Sequence, residues 1–369
     1  MHHKKRSLLR RTAILLLYAA TSFFVLHVFM LKNGWFRDLP DTGFSFDRMI
    51  AYTSDRPFAY RVLMPALINA GALAVPAGFA HDHRNWLLEK SPLAPYAQTG
   101  LFRQEGIAVK VHIAFLYLYA SLLIMLYAAR FLTKKIYSFS ALFSDCAPAA
   151  ALLLLPLTFA WGGHIYDFPE LMLSALCLVF IIKKKWLLYY PAFILAVLNK
   201  EVNVLIVAFF AAFCRDAMPK RELLRHMAAQ IIIGSLLVLS VLLLFSQNPL
   251  FPGLDDYWKQ NIRFWLNPSS YTLFWDAYHI GLPIFPRGSN VLLIVTACFL
   301  LFYKWGEKPV GVRRLFLYTA LFNIPLFLYR GCADEIRALS LMFPGMYLLG
   351  IHSMGRLLHA APASASPGS

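Results

Sequence analysis

The stretch LAVLNKEVNVLIVAFF, residues 195–210, decides how the whole chain is interpreted. It places Asn199, Lys200 and Glu201 side by side within residues 186–214, which otherwise carry no charge. An unpaired charge inside a bilayer costs at least a few kcal/mol. The surroundings must therefore neutralise or hydrate this triplet, and the groups that do so are a guide to function.

Composition places the chain among membrane proteins. It has 369 residues, of which 59% are hydrophobic and only 15% are charged, whereas about 25% of the residues of a soluble domain are charged. Several apolar runs approach or exceed the roughly 20 residues that cross a bilayer as a helix. We therefore expect an all-α polytopic integral membrane protein whose surroundings are a lipid bilayer.

The net charge of +16 would suggest a nucleic-acid partner in a soluble protein. Here the positive-inside rule accounts for the charge, because one path through the membrane puts most of the basic excess in the cytoplasm. No nucleic-acid partner is therefore predicted. On this path about ten transmembrane helices lie near residues 12–31, 109–131, 147–161, 168–182, 186–199, 202–214, 226–246, 288–303, 315–329 and 338–354.

The path predicts one transmembrane domain, residues 1–355, with both termini in the cytoplasm, and a disordered tail at 356–369. Its two large exoplasmic loops are 32–107 and 247–287. Whether residues 60–80 cross the membrane stays open. The path lays them along the outer face as interfacial helices, because a crossing there would move the later basic flanks outside. Compact loops and the lack of an organelle address favour a bacterial inner membrane.

Two apolar blocks, 147–182 and 186–214, are too long for one span and too short for two full spans. Each has a polar interruption, GGHIYDFPE at 162–170 and NKE at 199–201. Two short helices in each block keep every Lys-rich flank inside. The triplet is therefore predicted at the exoplasmic tip of a helical hairpin, where it faces protein or water.

The predicted outer face carries both carboxylates and cations, whereas the predicted inner face carries almost only Lys and Arg. Catalysis of group transfer needs a proton acceptor together with groups that stabilise developing charge. The outer face is therefore the predicted site. A simpler alternative stays open, in which Lys200 and Glu201 only pair with neighbours to cap the hairpin.

The segment FDRMIAYTSDRPFAYRVLMPAL, residues 46–67, resembles the first exoplasmic loop of GT-C type glycosyltransferases, especially the branch like the mannosyltransferases of GPI-anchor synthesis. Phe46–Asp47, Ile50–Ala51 and the helix from Tyr60 to Pro65 occupy the matching places. The tips YDFPELMLSALCL and LNKEVNVL resemble "YD" and "N[KR]E" elements of bacterial relatives. The chain departs from the pattern with Phe instead of Trp before the Asp, and with no Asp-X-Asp pair in this loop.

The resemblance implies transfer of a sugar from a polyprenyl-phosphate donor to a hydroxyl of a glycan or lipid-linked acceptor, with inversion, at the outer face. It implies Asp47 as the general base, with Asp41 as the alternative. The implied donor-phosphate ligands are Arg56, Arg61, Lys200 and Arg337. The residues implied to orient the sugar or these cations are His164, Asp167, Glu201 and Glu335. No metal ligands are predicted, and dependence on a divalent cation stays open.

Three other classes remain as alternatives. A transporter or flippase also uses paired, interrupted helices, although it needs polar groups on both sides of a central site. An O-antigen polymerase or ligase also acts on lipid-linked substrates at the outer face. Such an enzyme would be expected to have a large late loop with more arginine than the loop 247–287 contains. A structural subunit would gain nothing from charges in its membrane segments.

Overall fold

The computed structural model describes residues 2–32, 43–91, 105–158, 163–252, 256–275 and 285–358. The first seven α-helices in these ranges are α1 (His2–Lys32), α2 (Phe46–Ile50), α3 (Leu63–Leu73), α4 (Ala77–Glu89), α5 (Glu105–Ile136), α6 (Ala141–Leu153) and α7 (Asp167–Ile182). The others are α8 (Trp186–Asn199), α9 (Val207–Cys214), α10 (Lys220–Leu244), α11 (Tyr257–Leu266), α12 (Val291–Phe302), α13 (Val310–Arg330) and α14 (Phe343–Leu357).

Short 3₁₀ segments and one strand pair complete the described secondary structure. The 3₁₀ segments are Phe58–Tyr60, Leu155–Thr158, Glu201–Ile206, Pro268–Thr272, Trp305–Glu307 and Ile336–Met342. The strands β1 (Phe274–Trp275) and β2 (Phe285–Pro286) pair antiparallel, with Phe274 opposite Pro286. The secondary structure of the described residues is thus helical apart from one pair of two-residue strands in the second large loop.

Five helices are long and apolar enough to cross a membrane, which agrees with the predicted membrane class. They are Leu8–Met30, Gly106–Ile136, Ala141–Thr158, Lys220–Leu244 and Val310–Arg330. The other five predicted spans also fall on helical segments, but these are shorter. At 1.5 Å per residue, α8 with its 14 residues is roughly 21 Å long, less than a hydrocarbon core of about 30 Å.

The contacts between helix ends define two ends of the helix bundle, which we call the lower end and the upper end. At the lower end, Arg130 near the end of α5 meets Asp145 of α6. The Lys183 ammonium, just after α7, lies 4.2 Å from the centre of the Phe131 ring. At the upper end, the ring of Phe29 near the end of α1 lies 4.6 Å from that of Phe168 at the start of α7. The chain therefore passes repeatedly from one end to the other.

The interrupted block 186–214 is a helical hairpin, as predicted. α8 ends at Asn199, and Lys200 has an extended backbone with φ −160° and ψ 127°. The chain then returns, because the Phe210 ring of α9 lies 5.4 Å from the Trp186 ring at the start of α8. The charged triplet therefore occupies the hairpin tip at the upper end.

Residues 60–80 form two elements instead of one long helix. α3 has 11 residues, roughly 16 Å, and the chain turns at Pro76 before α4 begins. A segment of this length does not span a bilayer as one helix. α3 is tied to the first loop, because Asn69 Nδ2 donates a hydrogen bond of 2.8 Å to the Ile50 carbonyl oxygen.

Several helices extend beyond the predicted spans. α6 starts at Ala141, six residues before the predicted span at 147, and its Asp145 is neutralised by three basic side chains. α14 continues through Leu357 into the predicted tail, where Arg356 contacts Glu307 at 3.2 Å. Residues 359–369 lie outside the described residues.

Candidate functional site

Arg337 lies between two carboxylates at the upper end. It belongs to the 3₁₀ segment before α14 and donates from Nη1 to Asp167 Oδ2 at 2.5 Å. Its Nε donates to Glu335 Oε1 at 2.7 Å. Asp167 Oδ2 also accepts the backbone N–H of His164 at 2.6 Å, which orders the chain before α7. The turn before α14, which was predicted to be exoplasmic, and the first hairpin tip are thereby joined.

Arg61 connects the first loop to both hairpin tips. Its Nη1 donates to the Tyr166 hydroxyl, and its guanidinium lies 4.2 Å from the centre of the Tyr166 ring. Its Nη2 lies 3.6 Å from Glu201 Oε1. The buried Nε has no hydrogen-bond partner among the described residues. Arg61 thus keeps one unused donor inside the site.

The pairing of the triplet explains why it is tolerated. Lys200 Nζ donates to Glu170 Oε2 at 2.8 Å, and Glu170 is fully buried. Asn199 Nδ2 donates to the Tyr166 carbonyl oxygen at 2.9 Å. Glu201 faces Arg61 as described above. Each member therefore contacts a polar group of another element, and the two hairpin tips are locked together.

His164 lies in an aromatic wall beside these ion pairs. The centre of its ring is 5.2 Å from that of Phe58, 5.6 Å from that of Phe44 and 5.0 Å from that of Tyr166. Burial, and then the nearby guanidinium and ammonium groups, hold the pKa of His164 well below its usual value. The imidazole is therefore neutral at pH 7.

The second large loop packs on the first loop at this wall. The Phe251 ring lies 5.5 Å from the rings of both Phe44 and Phe58. The backbone N–H of Arg56 donates to Pro249 O at 2.8 Å, and the N–H of Phe251 donates to Arg56 O at 3.0 Å. Both predicted exoplasmic loops therefore contribute to one end of the molecule.

The structure brings seven of the ten predicted site residues into one cluster. They are Arg61, His164, Asp167, Lys200, Glu201, Glu335 and Arg337. Asp47, in the first turn of α2, and Arg56 lie on the first loop, partly exposed. Neither side chain has an ion pair or hydrogen bond to the part of the chain that the structure describes. Asp41 lies outside the described residues.

Two site residues were not among those predicted. Glu170 pairs with Lys200, and Tyr166 contacts Arg61. The signal for Glu170 was available, because it follows Asp167 by three residues and so shares a helix face with it in an otherwise apolar segment. Tyr166 belongs to the YD element of the resemblance, but an aromatic residue at a helix end is also a common membrane-interface anchor, and no role was assigned to it.

The cluster contains more carboxylates than cations. Its three cations are Arg61, Lys200 and Arg337. Its four carboxylates are Asp167, Glu170, Glu201 and Glu335. If all seven of these side chains are ionised and His164 is neutral, they sum to one negative charge, and the interior of the cluster then suits hydroxyl groups better than a phosphate. Arg56, which has no ion pair with described residues, is the cation best suited to an anion.

A narrow apolar crevice between α8 and α10, with only about 10 Å³ of free space, ends at this cluster. Its walls are Tyr60, Val197, Leu198, Glu201, Leu237, Val238, Val241 and Leu242. Glu201 and Tyr60 are its polar members, while the rest are aliphatic. The crevice therefore connects apolar helix surfaces with the ion pair between Glu201 and Arg61.

Among the described residues, no group of three or more His, Cys, Asp or Glu side chains is placed to hold a metal ion. Asp256 instead pairs with Lys259 at 2.7 Å, and its neighbour Asp255 lies outside the described residues. Comparison with known proteins found no matching family model, no similar curated protein and no similar solved structure.

Proposed function

We propose that the chain is a membrane glycosyltransferase of the GT-C type. It moves a sugar from a polyprenyl-phosphate donor to an acceptor hydroxyl on the outer face of the membrane, with inversion. The observation that carries this proposal is the meeting of the first loop, both hairpin tips and the last exoplasmic turn in one charged cluster, at the end of an apolar crevice. A lipid-linked sugar needs a polar site for its sugar and phosphate beside an apolar surface for its lipid chain.

The orientation belongs to the same proposal. All ten helical passes cross the membrane, the five shorter ones with locally thinned lipid or with protein around their ends. The lower end, with its basic residues, faces the cytoplasm. The upper end faces the periplasm of a bacterial inner membrane, where the acceptor is a glycan or a lipid-linked hydroxyl compound.

The first isoprene units of the donor lipid lie along the exposed leucines of α10 beside the crevice, because the crevice itself, with about 10 Å³ of free space, is too small for an isoprene unit. The donor phosphate lies at the edge of the cluster, outside its negatively charged interior, where Arg61 Nε and the Arg56 guanidinium are the free donors. Arg bonds to phosphate oxygens through charge-assisted hydrogen bonds. Lys200 and Arg337 are already held by carboxylates, so we assign them to positioning Glu170, Asp167 and Glu335 around the sugar.

In the chemical step, Asp47 accepts the proton of the acceptor hydroxyl while its oxygen bonds to the anomeric carbon. The bond from that carbon to the phosphate oxygen breaks, and polyprenyl phosphate departs with the electron pair. Arg56 and Arg61 stabilise the charge that develops on the leaving phosphate. Asp41 remains the alternative base. A divalent cation shared between the phosphate and a carboxylate remains an alternative to the two arginines.

The test is sugar transfer in proteoliposomes with a panel of polyprenyl-phosphate sugars. Asp47→Asn is expected to reduce transfer by about 10²–10⁴-fold, the usual contribution of a general base. Asp82→Asn, an exposed carboxyl on α4, is the matched control and keeps wild-type rates. Unchanged transfer in Asp47→Asn would move the base to Asp41. Loss of transfer on chelation would favour the cation alternative.

A transporter or flippase is the second candidate, and the break at Lys200 favours it, because interrupted helices also build substrate sites in transporters. It predicts movement of a lipid-linked sugar across the bilayer without release of polyprenyl phosphate. Measuring release and transbilayer movement in the same proteoliposomes separates the two candidates.

A further inference from the structure

A second charged cluster lies at the lower end, around Asp145 of α6. The Asp145 side chain is 4% exposed. It accepts Arg10 Nε at 2.8 Å, Arg130 Nε at 2.6 Å and Lys134 Nζ at 2.5 Å. One cation would neutralise this carboxylate. Three cations leave the cluster with two positive charges in excess.

Some donors of this cluster remain unused. Arg10 Nη1 and both Nη atoms of Arg130 have no hydrogen-bond partner within the ranges that the structure describes. The oxygens of Asp145 already accept from all three cations. The unused N–H groups therefore remain available to a second anion.

A groove of about 400 Å³ between α1 and α6 begins at this cluster. Its polar members are Arg10, Asp145 and the thiol Cys146. The remaining lining residues are apolar: Ala13, Ile14, Leu17, Ala141 and Leu142. Both helices are among those long and apolar enough to cross a membrane. The groove therefore joins a cationic end to an apolar wall along the membrane direction.

We propose that this groove binds one anionic phospholipid. Its phosphate lies at Arg10, where the cluster has its excess positive charge, and one of its acyl chains lies along Ile14 and Leu17. Basic pockets between membrane helices on the cytoplasmic side select anionic headgroups in this way. Ordinary basic anchors need neither the apolar groove nor three cations around one buried carboxylate. The proposal rests on insertion in a bilayer, and it does not depend on the glycosyltransferase activity.

The test is native mass spectrometry of the full chain in detergent, titrated with phosphatidylglycerol or with phosphatidylcholine of the same acyl chains. We expect mass peaks for the protein with one tightly bound phosphatidylglycerol, and no corresponding peak with phosphatidylcholine. Arg10→Gln should weaken phosphatidylglycerol binding about fivefold, the effect of one basic residue near an anionic surface. Arg130 and Lys134 still neutralise Asp145 in this variant, so the chain folds.

Arg11→Gln is the matched control, because Arg11 is exposed on the same helix and does not line the groove. Leu142→Trp fills the groove without changing charge and should also weaken lipid binding. Equal affinity for the two lipids, or equal losses in Arg10→Gln and Arg11→Gln, would overturn the proposal. So would inorganic phosphate that binds as tightly as phosphatidylglycerol, since it would identify a site for free phosphate.

Discussion

Glu170 and Lys200 show how a buried charge is made tolerable at the residue scale. Glu170 is fully buried and its nearest cation is Lys200, at 2.8 Å. Removing one partner of a buried pair leaves the other as an uncompensated charge, which is more costly than losing both. The pair is thus a structural link between the hairpin tips as well as a part of the candidate site.

We predict that Lys200→Met lowers the free energy of unfolding by about 3–5 kcal/mol, because Glu170 is left without its cation. The double variant Glu170→Gln/Lys200→Met should recover most of this loss, since neither buried charge remains. Reversible unfolding in detergent micelles measures both effects. A double variant no more stable than Lys200→Met would show that the pair is not the source of the loss.

His164 predicts a pH dependence with a definite sign. Its pKa in the folded chain lies well below the unfolded value of about 6.5. Between those two values the unfolded chain binds more protons, so stability is complete above about pH 6.5 and falls as the pH decreases. His164→Phe keeps the ring contacts and should lose less stability between pH 7 and pH 5. Thermal unfolding of both proteins checks this, and identical pH slopes would contradict it.

At this scale the sequence was a good guide to the charged residues and a poor guide to their partners. Asn199, Lys200 and Glu201 were recognisable as anomalies in an apolar run. The partners of Asn199 and Lys200, Tyr166 and Glu170, come from the other interrupted block, and only the folded arrangement of α7 beside α8 brings them close. The assignment of Lys200 as a phosphate ligand therefore stays a prediction. Its ammonium group already pairs with Glu170, so it is not free to bind a phosphate in this arrangement.

At the scale of the element, the sequence predicted the break between two helices more accurately than the residue at which a helix begins. The break at Lys200 followed from polarity and length and is present in the structure. The predicted span 147–161 does not include the first six residues of α6, which begins at Ala141 and contains Asp145. Asp145 lies inside the helix, where three cations from α1 and α5 neutralise it.

The exposed surface of α11 indicates where this helix lies relative to the membrane. Its exposed apolar residues Trp258, Ile262 and Leu266 form one stripe, while Gln260 is exposed on the opposite flank. Asn261, on the buried face, donates to the Gly331 carbonyl oxygen at 2.6 Å, which holds α11 against the end of α13. We therefore predict that α11 lies in the membrane interface with its apolar stripe toward lipid.

A spin label at Ile262→Cys should therefore collide more with oxygen than with a water-soluble nickel reagent, because oxygen concentrates in lipid. A label at Gln260→Cys should show the reverse preference. Both are made in a background without the five native cysteines and measured by power saturation in nanodiscs. Equal accessibilities at the two positions would place α11 away from the membrane surface.

For the whole molecule, the number of crossings decides the positions of the termini. Ten crossings place Arg11 and Leu358 on one side and Gln260 on the other. If only the five long helices cross, Arg11 and Leu358 lie on opposite sides, because five is odd. Hydropathy alone could not decide this, since α8 and α9 are each shorter than a full span.

Labelling of intact cells with a membrane-impermeant maleimide tests this topology. We expect a cysteine at Gln260 to react in the cysteine-free background, while cysteines at Arg11 and Leu358 react only after permeabilisation. Both terminal positions are exposed, so accessibility within the protein does not limit the reaction. Reaction of Leu358→Cys in intact cells would reduce the number of crossings to an odd value.

The crevice between α8 and α10 has a consequence for how the protein is handled. The exposed leucines of α10 beside it, Leu239 and Leu243, form a surface on which a detergent alkyl chain lies as readily as a lipid tail. A micelle would then act as a competitive inhibitor at the mouth marked by Glu201, even when every residue is correctly folded. Purification chemistry and lipid substrate would thus compete for the same space, and a preparation exchanged into native lipid is the one in which turnover should first be seen.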